Sequence, residues 1–366
     1  MLLKQFGMSY ELLVWCLVGL FILWRFGSSW WASKKQLARG QKKRQIVLEH
    51  IKSVSKELET FKLTPEVETS VRKASIAELQ NMLLSKKVTC VELVKYFTKL
   101  SVTQAWNLGY VVDVLYEDAV KLAAERDTQL KEFIKSGATN QSLPELFGIP
   151  VSIKDVIEYK GHDTSMGSSN YTFDPCPEHG GVVMLLLNAG GIPFVKTNCP
   201  QLLLINETNN WIWGRALNPW DTARTTGGSS GGEGGMVAMG FSPVGIGSDG
   251  GGSIRIPANY CGLYGVRATG KRFTMFGHKP PSSYIPRHIQ GCVGPLARCM
   301  DDCIRVLKAL QNDQLLSQID PLIPPLPWKE EVQHQAEKTP RLKIGVIKRF
   351  TVSISNLRTS STPRLV

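Results

Sequence analysis

Two serine clusters framed by glycine, together with one lysine, supply the groups with which this chain could do chemistry. Residues 227–255 read GGSSGGEGGMVAMGFSPVGIGSDGGGSIR, and Lys154 ends the apolar run GIPVSIK. Glycine brings backbone N–H groups close to a substrate because it has no Cβ and tolerates positive φ. Hydroxyls, an amine and adjacent amides are the groups that a serine hydrolase without a catalytic histidine requires.

The three side chains predict a division of roles in amide cleavage. A serine hydroxyl is a weak nucleophile until a base removes its proton, and a neutral lysine can be that base. We assign Ser253 as the nucleophile, Ser229 as the hydroxyl that relays the proton, and Lys154 as the base that returns it to the leaving amine. A lysine is neutral near pH 7 only where burial removes its hydration. The neighbours of this lysine are apolar: Ile149, Val151, Ile153 and Val156.

Backbone N–H groups after the second serine cluster complete the predicted site. Three successive glycines leave no side chain to obstruct a carbonyl oxygen, and the loss of one such donor typically costs about 3 kcal/mol of transition-state stabilisation. The predicted oxyanion hole consists of the N–H groups of Gly250, Gly251, Gly252 and Ser253.

The runs GGSSGGEG and GSDGGGSIRIPANYCGLYG, preceded by PVSIKD, resemble the amidase signature family with its Ser–cis-Ser–Lys triad. Flanking runs narrow the resemblance to the fatty acid amide hydrolases, integral membrane enzymes that cleave fatty acid amides. These runs are YKGHDTSMG (159–167), TNCPQ (197–201), NPW (218–220) and IPPLPWKEEV (323–332). The resemblance implies an α/β fold in which helices flank a mixed β-sheet. It also implies a lipid amide substrate and a homodimer. No metal ion or organic cofactor is expected, because the polypeptide supplies every group that the chemistry needs.

The resemblance assigns further residues around the triad. It implies that Ser230 hydrogen-bonds the lysine, that Arg255 braces the loop after the nucleophile, and that Asp249 supports the same loop. Leu203 and Ser229 join the oxyanion-hole residues in binding the substrate.

The chain also departs from the family pattern. Gly250 stands where a bulkier residue is usual, Arg267-Ala268 replaces a Lys-Pro, and Asn206 stands where an aromatic acyl-channel residue is expected. The acyl-chain preference is therefore not carried over. Because the chain leaves the pattern near Lys348, we expect the C-terminal part of the fold to be missing.

The elements that must position these groups can be predicted from local signals. Capping boxes at Ser75/Glu78 and Thr89/Glu92 predict the starts of two helices. Alternating strands and helices indicate an α/β fold, with Lys154 at the end of a strand. Further helices are expected over 41–62, 116–133, 181–188, 232–240 and 300–311, and strands over 192–196 and 242–247.

The N-terminus predicts a membrane anchor. Leu12–Trp24 is an unbroken apolar run, and Leu12–Ala32 reaches membrane-spanning length if Arg25 snorkels to the interface. Basic residues follow directly from Lys34 onward, which by the positive-inside rule predicts a single-pass protein with its catalytic domain on the cytosolic side of an endomembrane such as the endoplasmic reticulum. A cleaved signal peptide remains an alternative, although Lys4 alone would form its basic region. A monotopic or core helix is the other alternative.

Charge and composition predict one catalytic body with two basic ends. The formal net charge is +12, and the excess lies in residues 1–60 and 338–366, which favours a bilayer over nucleic acid as the partner. The predicted segments are a transmembrane anchor (1–33), a basic amphipathic linker helix (34–69), an amidase-signature catalytic domain (70–337) and a divergent, disordered tail (338–366).

Several alternatives remain open at this point. Residues 245–250 match G-x-G-x-x-G, but Pro257 follows quickly and no acidic residue lies about 20 positions on, so a dinucleotide site is disfavoured. Cys299 and Cys303 have a metal-compatible spacing without a histidine cluster, which favours packing. Besides the amide hydrolase, a truncated inactive isoform that acts by binding or association and an amidotransferase-type glutaminase subunit remain as functions.

Overall fold

A six-stranded mixed sheet organises the first and larger of two units of the chain. The computed structural model describes residues 10–137, 143–279, 290–311, 313–324 and 326–338, and the two units are Met1–Pro327 and Trp328–Val366. In the second unit a helix covers Glu330–Lys338. Most of the predicted tail, from 339 onward, lies outside the described residues.

The strand order is β1-β3-β2-β6-β8-β7, with β2 parallel to β3 and β6 and the other pairs antiparallel. The strands are β1 (Val111–Val114), β2 (Pro150–Lys154), β3 (Ile192–Thr197), β4 (Asn209–Asn210), β5 (Gly214–Arg215), β6 (Val244–Asp249), β7 (Tyr264–Gly265) and β8 (Cys292–Ala297). The helices are α1 (Tyr10–Glu57), α2 (Pro65–Lys73), α3 (Ile76–Leu84), α4 (Cys90–Leu100), α5 (Tyr116–Lys135), α6 (Gly181–Asn188), α7 (Gly231–Ala238), α8 (Arg255–Cys261), α9 (Met300–Ala309), α10 (Asp313–Ile319) and α11 (Glu330–Lys338). The predicted mixed sheet flanked by helices is confirmed.

The helices before β2 begin where their capping residues predict. Ser75 and Thr89 each accept a hydrogen bond from the backbone of the glutamate three residues on, and that glutamate bonds back to the cap. Each box satisfies two N–H groups that the first helical turn leaves unpaired. Helices α4 and α5 pack together and contact β3, so this layer supports the strand beside β2.

Helix α1 is a single helix of 48 residues, and the separate helix predicted over 41–62 is its C-terminal part. No proline interrupts it, and Gly40 lets the helix approach the side chain of Ile212. The C-terminal part packs on the body through Val47, Ile51 and Val54, and Leu58, which directly follows the helix, continues this spacing of three or four residues.

Among the residues that the structure describes, no helix is both long enough and apolar enough to cross a membrane. The prediction of a transmembrane helix within 1–33 is therefore not supported.

Strands β2 and β6 are buried along their whole length. Their parallel register aligns Val151 with Val244 and Ile153 with Ile246. Because the carboxyl ends of parallel strands meet at one edge of a sheet, the end of β2 lies beside the end of β6. This edge brings Lys154 next to Ser248.

Candidate active site

Lys154 is the last residue of β2, and its side chain is completely buried. Its Nζ donates hydrogen bonds to Ser229 Oγ at 2.7 Å and to Ser248 Oγ at 3.1 Å. Burial lowers the pKa of Lys154 to about 8, although nearby Cys199, Asp249 and Glu233 act in the opposite direction. The amine therefore loses its proton more readily than that of an ordinary lysine, and its neutral form can act as a base near neutral pH.

Ser229 and Ser230 directly precede α7, and both are buried. The peptide bond between Gly228 and Ser229 is cis. The resemblance implied a hydrogen bond between Ser230 and the lysine, but the Lys154 Nζ contacts go to Ser229 and Ser248. The Ser230 hydroxyl instead donates to the carbonyl of Ser248 at 3.3 Å. Ser248 takes this place because β6 runs directly beside β2.

Ser253 lies in the turn between β6 and α8, next to the first serine cluster. Its carbonyl accepts a hydrogen bond from the Ser230 N–H at 3.1 Å. Both Ser253 and Ser229 line one cavity of about 640 Å³. The structure thus brings the two serines to the same cavity, with Lys154 directly behind Ser229.

The buried carboxylate of Asp249 holds the loop that carries Ser253, the predicted nucleophile. It accepts hydrogen bonds from the N–H groups of Gly252 at 2.7 Å and Ile254 at 3.0 Å, and both oxygens accept from Arg255 at 3.1 Å. Burial opposes its ionisation, but the contacts with Arg255 and the backbone lower the pKa of Asp249 to about 2. The supporting roles given to Asp249 and Arg255 have this geometric basis.

The Asp249 contacts also change the predicted oxyanion hole. Of the four N–H groups assigned to it, that of Gly252 points to Asp249 Oδ1. The sequence pattern did not separate these amides, because which N–H turns back to a carboxylate depends on the fold of the loop. The N–H groups of Gly250, Gly251 and Ser253 remain for that role, and these three residues line the cavity.

The cavity wall combines the polar site with apolar side chains. Its apolar lining comprises Leu203, Phe273, Met275, Leu322 and Ile323. Leu203, predicted to bind substrate, thus lies in the same cavity as the serines. His278 also lines it, and burial together with the charge of Lys154 lowers the pKa of this imidazole to about 3.

Glu233 is a buried residue of the site that sequence reasoning missed. Its carboxylate accepts hydrogen bonds from Ser152 Oγ at 2.5 Å and Thr197 Oγ1 at 2.8 Å. Burial raises the pKa of Glu233 to about 8. The run GGSSGGEG contains this glutamate, but its partners lie far away in sequence.

Two further polar pairs were not predicted. Lys196 and Asp155 form a buried ion pair at 3.1 Å, and His162 Nδ1 contacts Asp113 Oδ2 at 2.8 Å. Within the described ranges no cluster of His, Cys, Asp and Glu could hold a metal ion. Cys303 is buried and Cys299 partly buried, and both are free thiols.

Known proteins are similar to this chain in sequence and in fold. The family model described as Amidase matches residues 92–360, which extends past the domain boundary predicted at 337. The fatty-acid amide hydrolase 1 of Sus scrofa is 34% identical over 328 residues, covering 89% of this chain and 53% of that protein. The vitamin D3 hydroxylase-associated protein of Gallus gallus is 44% identical over 200 residues, covering 55% of this chain and 42% of that protein.

A solved structure of a fatty acid amide hydrolase superposes with a TM-score of 0.69 at 29% identity, covering 81% of this chain and 54% of the other. The chain therefore spans about half the length of the curated relatives it matches. On the matched model and these relatives, the chain belongs to the amidase signature family and is related to the fatty acid amide hydrolases.

Proposed function

We propose that this chain hydrolyses amides of long-chain fatty acids, and the corresponding esters, through an acyl-enzyme formed on Ser253. The observation that carries the proposal is the 2.7 Å contact between the buried amine of Lys154 and Ser229, at the wall of the cavity that Ser253 also lines. A nucleophile, a proton relay and a base with a lowered pKa thus lie in one place.

The proposed reaction moves one proton along this line of groups. As Ser253 Oγ attacks the carbonyl carbon, its proton passes to Ser229 while the proton of Ser229 passes to the neutral Lys154. The N–H groups of Gly250, Gly251 and Ser253 would stabilise the oxyanion. When the C–N bond breaks, Ser229 gives a proton to the leaving nitrogen and regains one from the ammonium. Water then repeats the sequence to release the fatty acid.

The lining of the cavity suits the acyl chain of the proposed substrate. Its apolar wall includes Phe273, Met275 and Ile323, and burying each methylene of an acyl chain stabilises binding by about 0.8 kcal/mol. The similarity to fatty acid amide hydrolases supports the same class of substrate.

Contact with a lipid bilayer belongs to the same proposal. Helix α1 exposes large apolar side chains near its N-terminus, among them Trp15, Phe26, Trp30 and Trp31. Exposed aromatic residues followed by basic ones are typical of segments that lie at a membrane interface. A bilayer would be the source of the fatty amide, and we retain a cytosol-facing orientation as part of the proposal.

The experiment compares the purified chain with Ser253→Ala and Lys154→Ala on a primary fatty amide, an N-acylethanolamine and glutamine. We expect hydrolysis of the lipid amides, and at least about a thousandfold loss in each variant. Ser242→Ala, which removes another buried serine hydroxyl that donates to Val244 O at 2.8 Å, should retain the parent rate.

Labelling with a fluorophosphonate separates the alternatives. The parent should be labelled on Ser253, whereas a chain that acts only by binding would not be labelled. Glutamine hydrolysis without lipid amide hydrolysis would favour the glutaminase function instead.

A further inference from the structure

Helix α7 and strand β2 are joined by two neighbouring contacts. Ser229, just before α7, receives the hydrogen bond from Lys154, and Glu233, in the first turn of α7, receives that from Ser152. Residues two apart in a strand point to the same face. Ser152 and Lys154 therefore present their side chains to the same helix end, where one contacts Glu233 and the other contacts Ser229.

A third strand is tied into the same arrangement. Glu233 Oε1 accepts from Thr197 Oγ1, and Thr197 is the residue of β3 aligned with Lys154. One carboxylate thus links α7 to β2 and β3 at the level of the amine. The carboxylate of Glu233 is closely packed against β6, because a Cβ on Gly245 of that strand would overlap Glu233 Oε2.

Buried carboxylates are retained where a charge or a strong hydrogen-bond acceptor is needed, because burying one is costly. In the proposed reaction Lys154 becomes an ammonium each time it takes the serine proton, although its side chain has no exposure to solvent. The groups that act electrostatically on this ammonium are Cys199 after β3, Asp249 at the end of β6, and Glu233 on α7. Of these, Asp249 is paired with Arg255 at 3.1 Å.

We propose that Glu233 is a positioning residue that holds Lys154 against Ser229 and stabilises the ammonium formed during proton transfer. The inference rests on the proposed function and deepens it. The carboxylate touches neither substrate nor the reacting atoms, and it acts through Ser152, Thr197 and the electrostatic field at the amine. Its contribution is largest at the step in which the lysine carries the extra proton.

The test measures the rate of fluorophosphonate labelling of the full chain across about pH 6 to 10 in the parent and in Glu233→Gln. Glutamine keeps the shape and can still accept from Thr197, but it cannot take the negative charge that Glu233, whose pKa burial raises to about 8, carries in the upper part of this pH range. Because a carboxylate favours the ammonium form, its loss should move the midpoint of the pH profile down by about half a unit to one unit. The plateau rate should fall about tenfold.

Two serine variants serve as a matched pair. Ser152→Ala removes one hydrogen-bond donor to Glu233 and leaves Lys154 in place. The ionised form of Glu233 should then be less stable, so the midpoint of the pH profile should also move down, but by less than in Glu233→Gln. Ser242→Ala removes a buried hydroxyl that donates to Val244 O, and it should leave the midpoint unchanged.

The outcomes separate this inference from the function on which it rests. A parent that is neither labelled nor active overturns both. If Glu233→Gln is labelled with the same pH midpoint as the parent, even at a lower rate, Glu233 has a purely structural role. That result overturns this inference and leaves the proposed function standing. A downward shift in both Glu233→Gln and Ser152→Ala supports it.

Discussion

Lys154 differs from an ordinary lysine in its surroundings, and these decide what its amine can do. A lysine in water keeps its proton at pH 7, whereas burial lowers the pKa of Lys154 to about 8. About one molecule in ten would then carry the neutral amine at pH 7. His278, which faces the same cavity, has its pKa lowered to about 3. Its imidazole is therefore neutral at pH 7 and a weaker base than the amine of Lys154.

The activity should therefore rise with pH. In the proposed reaction the neutral amine of Lys154 is the active form, so kcat/KM for a fatty amide should increase about tenfold per unit below pH 8 and level off above it. The measurement is the pH profile of the parent beside Lys154→Ala, whose residual rate should lack this rise. Because burial also raises the pKa of Glu233 to about 8, the midpoint of the pH profile belongs to Lys154 and Glu233 together. A midpoint that persists in Lys154→Ala and disappears in Glu233→Gln would assign the titration to the carboxyl group.

At the scale of elements, local signals were predictable and contacts between elements were not. The capping residues Ser75 and Thr89 gave correct helix starts, and the strand that ends at Lys154 is present. These features depend on residues a few positions apart. The contact of Ser248 with the lysine depends on β6 lying beside β2, and the Glu233 contacts depend on α7 meeting two strands. The spacing of residues along the sequence does not say which strands and helices pack against each other.

The packing of α7 on the sheet makes Gly245 the most sensitive glycine of β6. Gly245→Ala should place a methyl group against Glu233 Oε2 and about 3.1 Å from Ser152 Oγ. We expect the free energy of unfolding to fall by about 1–3 kcal/mol, as is typical of an overpacked core, with loss of Ser253 labelling. Chemical denaturation measures the first effect.

Gly250→Ala is the matched control for stability. Gly250 directly follows β6, and a Cβ there would meet no atom within 4 Å. Its free energy of unfolding should stay within about 0.5 kcal/mol of the parent. Equal destabilisation by the two alanines would mean that the helix and strand do not pack as closely as described.

At the scale of the whole molecule, apolar and basic surface coincide on one part of α1. The Nζ atoms of Lys34 and Lys35 lie over the rings of Trp30 and Trp31 at 5.4 and 5.7 Å. Phe26 on the same helix is 73% exposed. Farther along α1, Val47 and Ile51 are buried against the body. One helix thus joins an exposed aromatic segment to the sheet that carries the site.

This arrangement predicts binding to anionic lipid vesicles through the aromatic segment. Replacing Phe26, Trp30 and Trp31 together with serine should weaken vesicle binding at least about tenfold, because apolar area no longer enters the interface. The control replaces Trp211 and Trp220, which are 84% and 68% exposed elsewhere on the body, and it should bind as the parent does. Raising the salt concentration should weaken parent binding, since exposed lysines attract anionic headgroups through a screened potential. Equal vesicle binding by the serine variant and the parent, measured by co-sedimentation, would show that α1 does not provide the membrane contact.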